Sequence, residues 1–181
     1  MPPKPVLRVA GPPPDLVAGG PVEFEELFAR YGRYVARLAT RLLGAGDAEV
    51  DDVVQEVFWT ALRRLPHIAD MIQARGWLAT VTTRIVGRRL RRRRFRRLFH
   101  ARPGNEEVPA PGATAEQHAL LRRVYEVLEG VPTDHRLAWS LRYLEGESLE
   151  MVAAACGCSL ATAKRRVSAA KKVIDEAFSD E

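Results

Sequence analysis

The side chains able to do chemistry fall into three clusters, and all three are charged. Residues 84–102 carry ten arginines, among them Arg84, Arg88 and Arg91, and no acid. Because the whole chain has a formal charge of +5, everything outside that segment sums to −5. A second cluster, Glu49, Asp51, Asp52, Gln55 and Glu56, is acidic. A third sets Thr162, Lys164, Arg165, Arg166, Ser168, Lys171 and Lys172 on one side of a helical pattern, with no acid among them. Guanidinium and ammonium groups concentrated in this way suit a polyanion, through phosphate contacts and bonds to base edges. The carboxylates have no histidine, cysteine or glycine-rich loop beside them, which makes a poor catalytic centre. They read either as a solvated helix end or as a docking face for a basic partner. Cys156 and Cys158 form a Cys-x-Cys pair without the further ligands a metal needs, and read as small core residues. The chemistry on offer is binding; no catalytic residue, cofactor or metal is expected.

Each cluster needs an element to hold it. The third lies in SLEMVAAACGCSLATAKRRVSAAKKVI, residues 148–174, which reads as two short helices around a tight turn. Leu149, Val152, Ala153 and Cys156 fall at offsets 0, 3, 4 and 7, one face of a helix. Gly157 follows, where a helix end favours a residue tolerant of positive φ. Ser159 is an N-cap for the next helix, which is expected to bury Leu160, Ala163, Val167, Ala170 and Ile174. A small-residue helix, a glycine turn and a second helix with a basic face make a helix-turn-helix. Such a unit lays its second helix in the DNA major groove. An ordinary helical hairpin with a solvated basic face is the plainer alternative.

The acidic cluster sits on a helix read over residues 48–65, with Val50, Val53, Val54, Val57, Phe58, Ala61, Leu62 and Leu65 at helical spacing. Its carboxylates occupy the first turns, where they also suit the helix dipole. Before it, Phe24, Leu27, Phe28, Tyr31, Val35, Leu38, Leu42 and Leu43 mark one face of a first helix starting near Val22, and Asp47 is a cap candidate. After Pro66, residues 67–73 read as a loop. A third helix opens at Ala74, with Trp77, Leu78, Val81 and Ile85 inward and Thr80, Thr82, Thr83 and Arg84 toward its polar sides. It runs on into the arginines, where Phe95 and Phe99 are interleaved, a pattern suited to nucleic acid.

Residues 1–21 are rich in proline and glycine and are expected to be disordered. A second such stretch, within residues 101–115, reads as a linker. Beyond it Leu120, Val124, Val127 and Leu128 mark one helix and Leu137, Leu141 and Leu144 another. No convincing strand pattern and no run of 18 apolar residues occurs, so membrane insertion is not expected, and the N-terminus lacks the apolar region of a signal peptide. The fold class is all-α: two small helical domains joined by a flexible linker, the C-terminal one a helix-turn-helix.

This arrangement resembles the extracytoplasmic-function group of bacterial sigma factors in the sigma-70 family. The likeness spans residues 22–178. It rests on Asp52, Gln55, Glu56 and Phe58 in the second helix, on Trp77-Leu78 in the third, and on LRYLEGESLEMVAAACGCSLATAKRRV in the second domain. It implies a tail at 1–21, a domain at 22–100 for polymerase docking and the −10 promoter element, a linker at 101–115, and a −35-reading domain at 116–181. The resemblance assigns polymerase contact to Asp51, Asp52, Gln55 and Glu56. It assigns −10 contacts to Trp77, Thr80, Thr83, Arg84, Arg88 and Arg91, with the 67–73 loop holding a flipped base. The −35 contacts would be Thr162, Lys164, Arg165, Arg166, Ser168 and Lys171. Where the family commonly has Asn and Asp in the third helix, this chain has Arg84 and Arg88. The implied partners are core RNA polymerase, promoter DNA and, as often in the family, an anti-sigma factor. The implied protein is a cytoplasmic initiation factor, not an enzyme, and a monomer when free. A stand-alone helix-turn-helix regulator and an arginine-rich RNA-binding protein are the other readings.

Overall fold

The computed structural model describes residues 23–44, 47–64, 71–97 and 114–179. The expected N-terminal tail, nearly all of the linker and positions 67–70 of the proposed base-holding loop lie outside them. Seven helices are described: α1 (Phe24–Leu43), α2 (Val50–Arg64), α3 (Met71–Arg97), α4 (Ala115–Gly130), α5 (Thr133–Tyr143), α6 (Leu149–Cys156) and α7 (Leu160–Ser179).

Local chemistry sets the helix ends. Gly44 stops α1 at φ 122°, its N–H donating to the Thr40 carbonyl. The Asp47 carboxylate accepts the Glu49 N–H just ahead of α2. Asp51 and Asp52 in its first turn and Arg63 and Arg64 in its last complement the helix dipole. Thr114 and Gln117 form a reciprocal capping box on α4. Ser148 caps α6, and Gly157 ends it in the left-handed region at φ 61°. The Cys158 N–H then reaches the Ala153 carbonyl and the Gly157 N–H that of Ala154, a Schellman closure. The Ser159 hydroxyl accepts the Thr162 N–H at the start of α7. The turn and cap read from the sequence are therefore present.

Helices α1–α3 form one group and α4–α7 another, but the main core does not stop between them. Leu27, Leu38, Val57, Leu78 and Val86 of the first group share it with Leu137, Leu141, Val152 and Val167 of the second. Each fully buried aliphatic side chain there contributes about 1.5–3 kcal/mol. A smaller cluster, Leu128, Val131, Trp139, Ala170 and Ile174, holds α4, α5 and α7 together.

The packing of α5 and α6 on α3 alters several expectations. Residues 71–73 belong to α3 rather than to a loop. Thr82 and Thr83, read as polar-side residues, are 0% and 2% exposed, because the second group covers much of this helix. Gly87 marks the closest approach: a Cβ there would lie 3.0 Å from Leu137 Cδ1. A mid-helix glycine costs about 1 kcal/mol relative to alanine, and here that cost is offset by the approach of α5. Conversely Phe28, Leu62 and Leu160, read as core, are 49%, 46% and 37% exposed. The apolar stripes of their helices are wider than the neighbours that cover them.

Candidate nucleic-acid interface

The arginine run and the acidic helix meet each other. Glu49, just ahead of α2, and Asp52 and Glu56 on it recur at offsets of three and four residues, and on α3 Arg89 and Arg93 are four apart, so the two rows face across the helix pair. Arg89 binds Glu49 at 2.9 Å and Glu56 at 3.0 Å, and lies 3.8 Å from Asp52. Arg88 binds Glu56 at 2.6 Å. Arg93 forks onto Asp47 and lies 2.7 Å from Glu49. The Asp47 side chain is only 3% exposed, so this last pair is largely removed from water. Burial by itself would raise the Asp47 carboxyl. Hydrogen bonds from Arg93 and the Glu49 amide, with the Arg93 charge, outweigh it and hold the group below its ordinary value. Glu49 is held down in the same way, against a smaller burial effect, by Arg93 and Arg89.

Asp51 and Gln55 point elsewhere. With Phe24, Phe28, Val54, Phe58, Trp59 and Leu62 they line a groove of about 490 Å³ between α1 and α2. Phe28 packs edge-on against Phe58 at 4.9 Å, and Trp59 is 60% exposed. An apolar, aromatic trough rimmed by an acid and an amide suits a protein partner. Reading the sequence missed Trp59. Its only signal was a tryptophan four residues after Gln55, off the apolar stripe.

Along α3, Trp77 is half-buried against the core, and Thr80 donates back to the Gly76 carbonyl at 3.0 Å. The Thr83 hydroxyl is buried without a hydrogen-bond partner. Arg84 is exposed, whereas Arg91 pairs with Asp134 of α5 at 2.9 Å.

On α7 the expected inward residues Ala163, Val167, Ala170 and Ile174 are buried. Lys164, Arg165 and Ser168 are exposed on the opposite side. Thr162 is half-buried and accepts from Arg165 at 3.3 Å. Arg166 is also half-buried, 3.2 Å from Asp134. Lys171 pairs with Asp175 and Lys172 with Glu176, so the acid-free face covers the first turns of the helix only. Cys156 has its thiol pushed up to about 12 by burial, with the Cys158 sulfur adding to the effect, so it stays protonated and unreactive. Among the described residues no group of three potential metal ligands occurs.

The Sigma-70 region 2 family profile matches residues 27–96, and that of Sigma-70, region 4 matches residues 121–174. The chain is 30% identical over 163 residues to the ECF RNA polymerase sigma-E factor of Escherichia coli K12, covering 84% of each chain. It is 32% identical over 142 residues to the probable RNA polymerase sigma-C factor of Mycobacterium bovis, covering 77% of this chain and 75% of that one. Among solved structures, CnrH in complex with the cytosolic domain of CnrY superposes with a TM-score of 0.60 at 25% identity, over 87% of this chain and 88% of the other. The sigma factor RpoE of Bartonella quintana, in complex with the anti-sigma factor NepR, has a TM-score of 0.66 over 86% and 96%; at 22% identity it speaks for the fold alone.

Proposed function

The chain belongs to the extracytoplasmic-function group of the sigma-70 family, and from that premise we propose how its surfaces bring promoter DNA to core RNA polymerase. It is a promoter-specificity factor for transcription initiation, with core polymerase and promoter DNA as its partners. The observation that carries the assignment of surfaces is that faces of unlike chemistry occupy opposite ends of one chain. An apolar trough rimmed by Asp51 and Gln55 lies between α1 and α2, and an acid-free basic face lies on the first turns of α7.

The trough is the polymerase-docking face. Phe28, Trp59 and Leu62 supply apolar area there, while Asp51 and Gln55 set the register. Asp52 and Glu56 contribute at its edge, and their pairing with Arg88 and Arg89 holds α2 and α3 in fixed relation. On the −10 side, Arg84, Arg88 and Arg91 offer phosphate contacts around Trp77, Thr80 and Thr83. On the −35 side, α7 enters the major groove, with Lys164, Arg165 and Ser168 nearest the bases. Thr162, Arg166 and Lys171 lie beside them. A stand-alone DNA-binding regulator has no use for the trough. The protein works in the cytoplasm as a monomer until it meets polymerase, catalyses no reaction itself, and is subject to an anti-sigma partner. Run-off transcription with purified core polymerase tests the reading. A promoter-dependent transcript that requires this protein is expected, and its loss on Trp59→Ala with Gln55→Ala, helicity being retained, would support the docking face. Transcript that is independent of the protein would overturn the assignment.

A further inference from the structure

We propose that Thr83, Arg84, Arg91 and Arg166 form a small-anion site where α3, α5, α6 and α7 meet. Its ligand is a phosphate dianion, either inorganic phosphate or the terminal phosphoryl group of a small phosphate monoester. The site stands on its own lining and does not rest on the assignment of surfaces to promoter elements.

A cavity of about 230 Å³ opens there. Clefts for drug-sized ligands run to about 300–1,000 Å³, so this one admits a phosphoryl group and leaves any organic part outside. Thr83, Arg84 and Arg91 line it from α3, Asp134 from the first turn of α5, and Arg166 from α7. Three guanidiniums against one carboxylate leave an excess of two positive charges, which a dianion neutralises. Gly87 helps to aim them. It lies between Arg84 and Arg91 on one face of α3, and a Cβ there would stand 3.4 Å from Arg91 Nη1. The bare backbone lets Arg91 fold back toward Asp134, 2.9 Å away, whose other oxygen holds Arg166 at 3.2 Å.

A second observation points to a ligand. Thr83 is 2% exposed, yet its hydroxyl has no hydrogen-bond partner. A buried hydroxyl left in that state is costly, and a phosphoryl oxygen in the cavity would accept its proton. Arg84 pairs with no acid among the described residues, so its guanidinium is available to the same anion. The N-terminal end of α5 adds positive potential at Asp134. The C-terminal end of α6 opposes it, but its Ala153 and Ala154 carbonyls already accept from the Cys158 and Gly157 amides. The Cys156 thiol on the same wall stays protonated and brings no charge. A phosphodiester of nucleic acid carries a single charge and is flanked by sugars on both sides, a poorer match in charge and in size.

The probe is inorganic phosphate, titrated calorimetrically into the full-length protein at about pH 8 and constant ionic strength, where the dianion predominates. Saturable binding of one phosphate per chain is expected, with a dissociation constant on the order of 1 mM or below. Arg84→Gln and Thr83→Val should each weaken it about tenfold, the loss of one charge-assisted hydrogen bond. Arg33→Gln removes an exposed arginine of α1 and should leave it unchanged. Thr83→Val should keep the wild-type helicity and denaturation midpoint, because the lost hydroxyl had no partner, and this separates a lost ligand contact from a lost fold. Dimethyl phosphate, a diester monoanion, should bind about tenfold more weakly than phosphate. The proposal is overturned if the wild type binds no phosphate in that range, or if Arg33→Gln weakens binding as much as Arg84→Gln, which would mean diffuse attraction. Equal binding of dimethyl phosphate would also overturn it, by making the cavity a subsite for a nucleic-acid backbone.

Discussion

The arginine run on α3 and the basic face of α7 look alike as sequence and differ as surfaces. The run is by far the larger concentration of charge. Yet Arg88, Arg89 and Arg93 are engaged by Glu56, Glu49 and Asp47, Arg91 by Asp134, and Arg94 by the Val131 carbonyl. On α7 the smaller set, Lys164, Arg165 and Ser168, remains turned to solvent, while Arg166 beside it is held by Asp134. The difference teaches that a block of like charge is a property of the chain, whereas a binding potential is a property of what the fold places opposite it. Much of the α3 run serves as mortar between helices; the start of α7 is left free to bind.

The sharpest way to break this contrast is to remove one arginine from each side. Arg93→Ala strands the Asp47 carboxylate in a site with almost no water. It should destabilise the protein by about 3 kcal/mol, read as a lowered denaturation midpoint. A midpoint within 0.5 kcal/mol of wild type would mean that this pair is as idle as an exposed one.

Acid sharpens the same point. Asp47 and Glu49 have folded-state values below their unfolded ones, so the stability they contribute is fully present above the unfolded value. It is lost as pH falls through the folded value, below about pH 4. Urea midpoints measured from pH 6 down to pH 3 should fall in the wild type and fall less in Arg93→Ala. Parallel curves for the two proteins would assign the acid loss to other carboxylates.

On the other side of the comparison, Arg165→Ala should leave the denaturation midpoint unchanged. It should weaken binding of a −35 duplex by about 1–3 kcal/mol if the side chain reads a guanine. Titration of the folded variant with promoter and scrambled duplexes checks this, and a loss shared equally by both would reduce Arg165 to a phosphate contact.

The smallest effect concerns the exposed remainder of the run. Counting charge alone, replacing Arg91, Arg92, Arg93 and Arg94 with Gln removes about two phosphate contacts and makes the salt slope shallower by roughly 1.4–1.8 units. With Arg91, Arg93 and Arg94 engaged within the fold, the exposed Arg92 is the main donor lost. Arg92→Gln on its own should change the slope by about 0.7–0.9 units. Measured slopes for the single and quadruple variants should nearly coincide in the free protein; a quadruple variant twice as far from wild type would show the run is open after all.

Sequence alone determined what depends on near neighbours. Apolar positions recurring at 3.6 residues located α1, α2 and α7, because a helix repeats its own face within a turn. Gly157 and Ser159 placed the turn, since a left-handed helix end and a hydroxyl cap are satisfied by atoms a few residues away. The quoted motifs also carried the family, and with it the function. Tertiary structure alone decided which charges are spoken for. Arg93 finds Asp47 across 46 residues and Arg136 finds the end of α1 across 94, separations over which no periodicity carries information. It also decided that Thr83 is buried while Phe28 and Trp59 are not, because exposure depends on whether another helix arrives. On α3 one does arrive, guided by Gly76 and Gly87, whose lack of a side chain is silent in a pattern of polar and apolar residues and acquires meaning only where α5 and α6 come close.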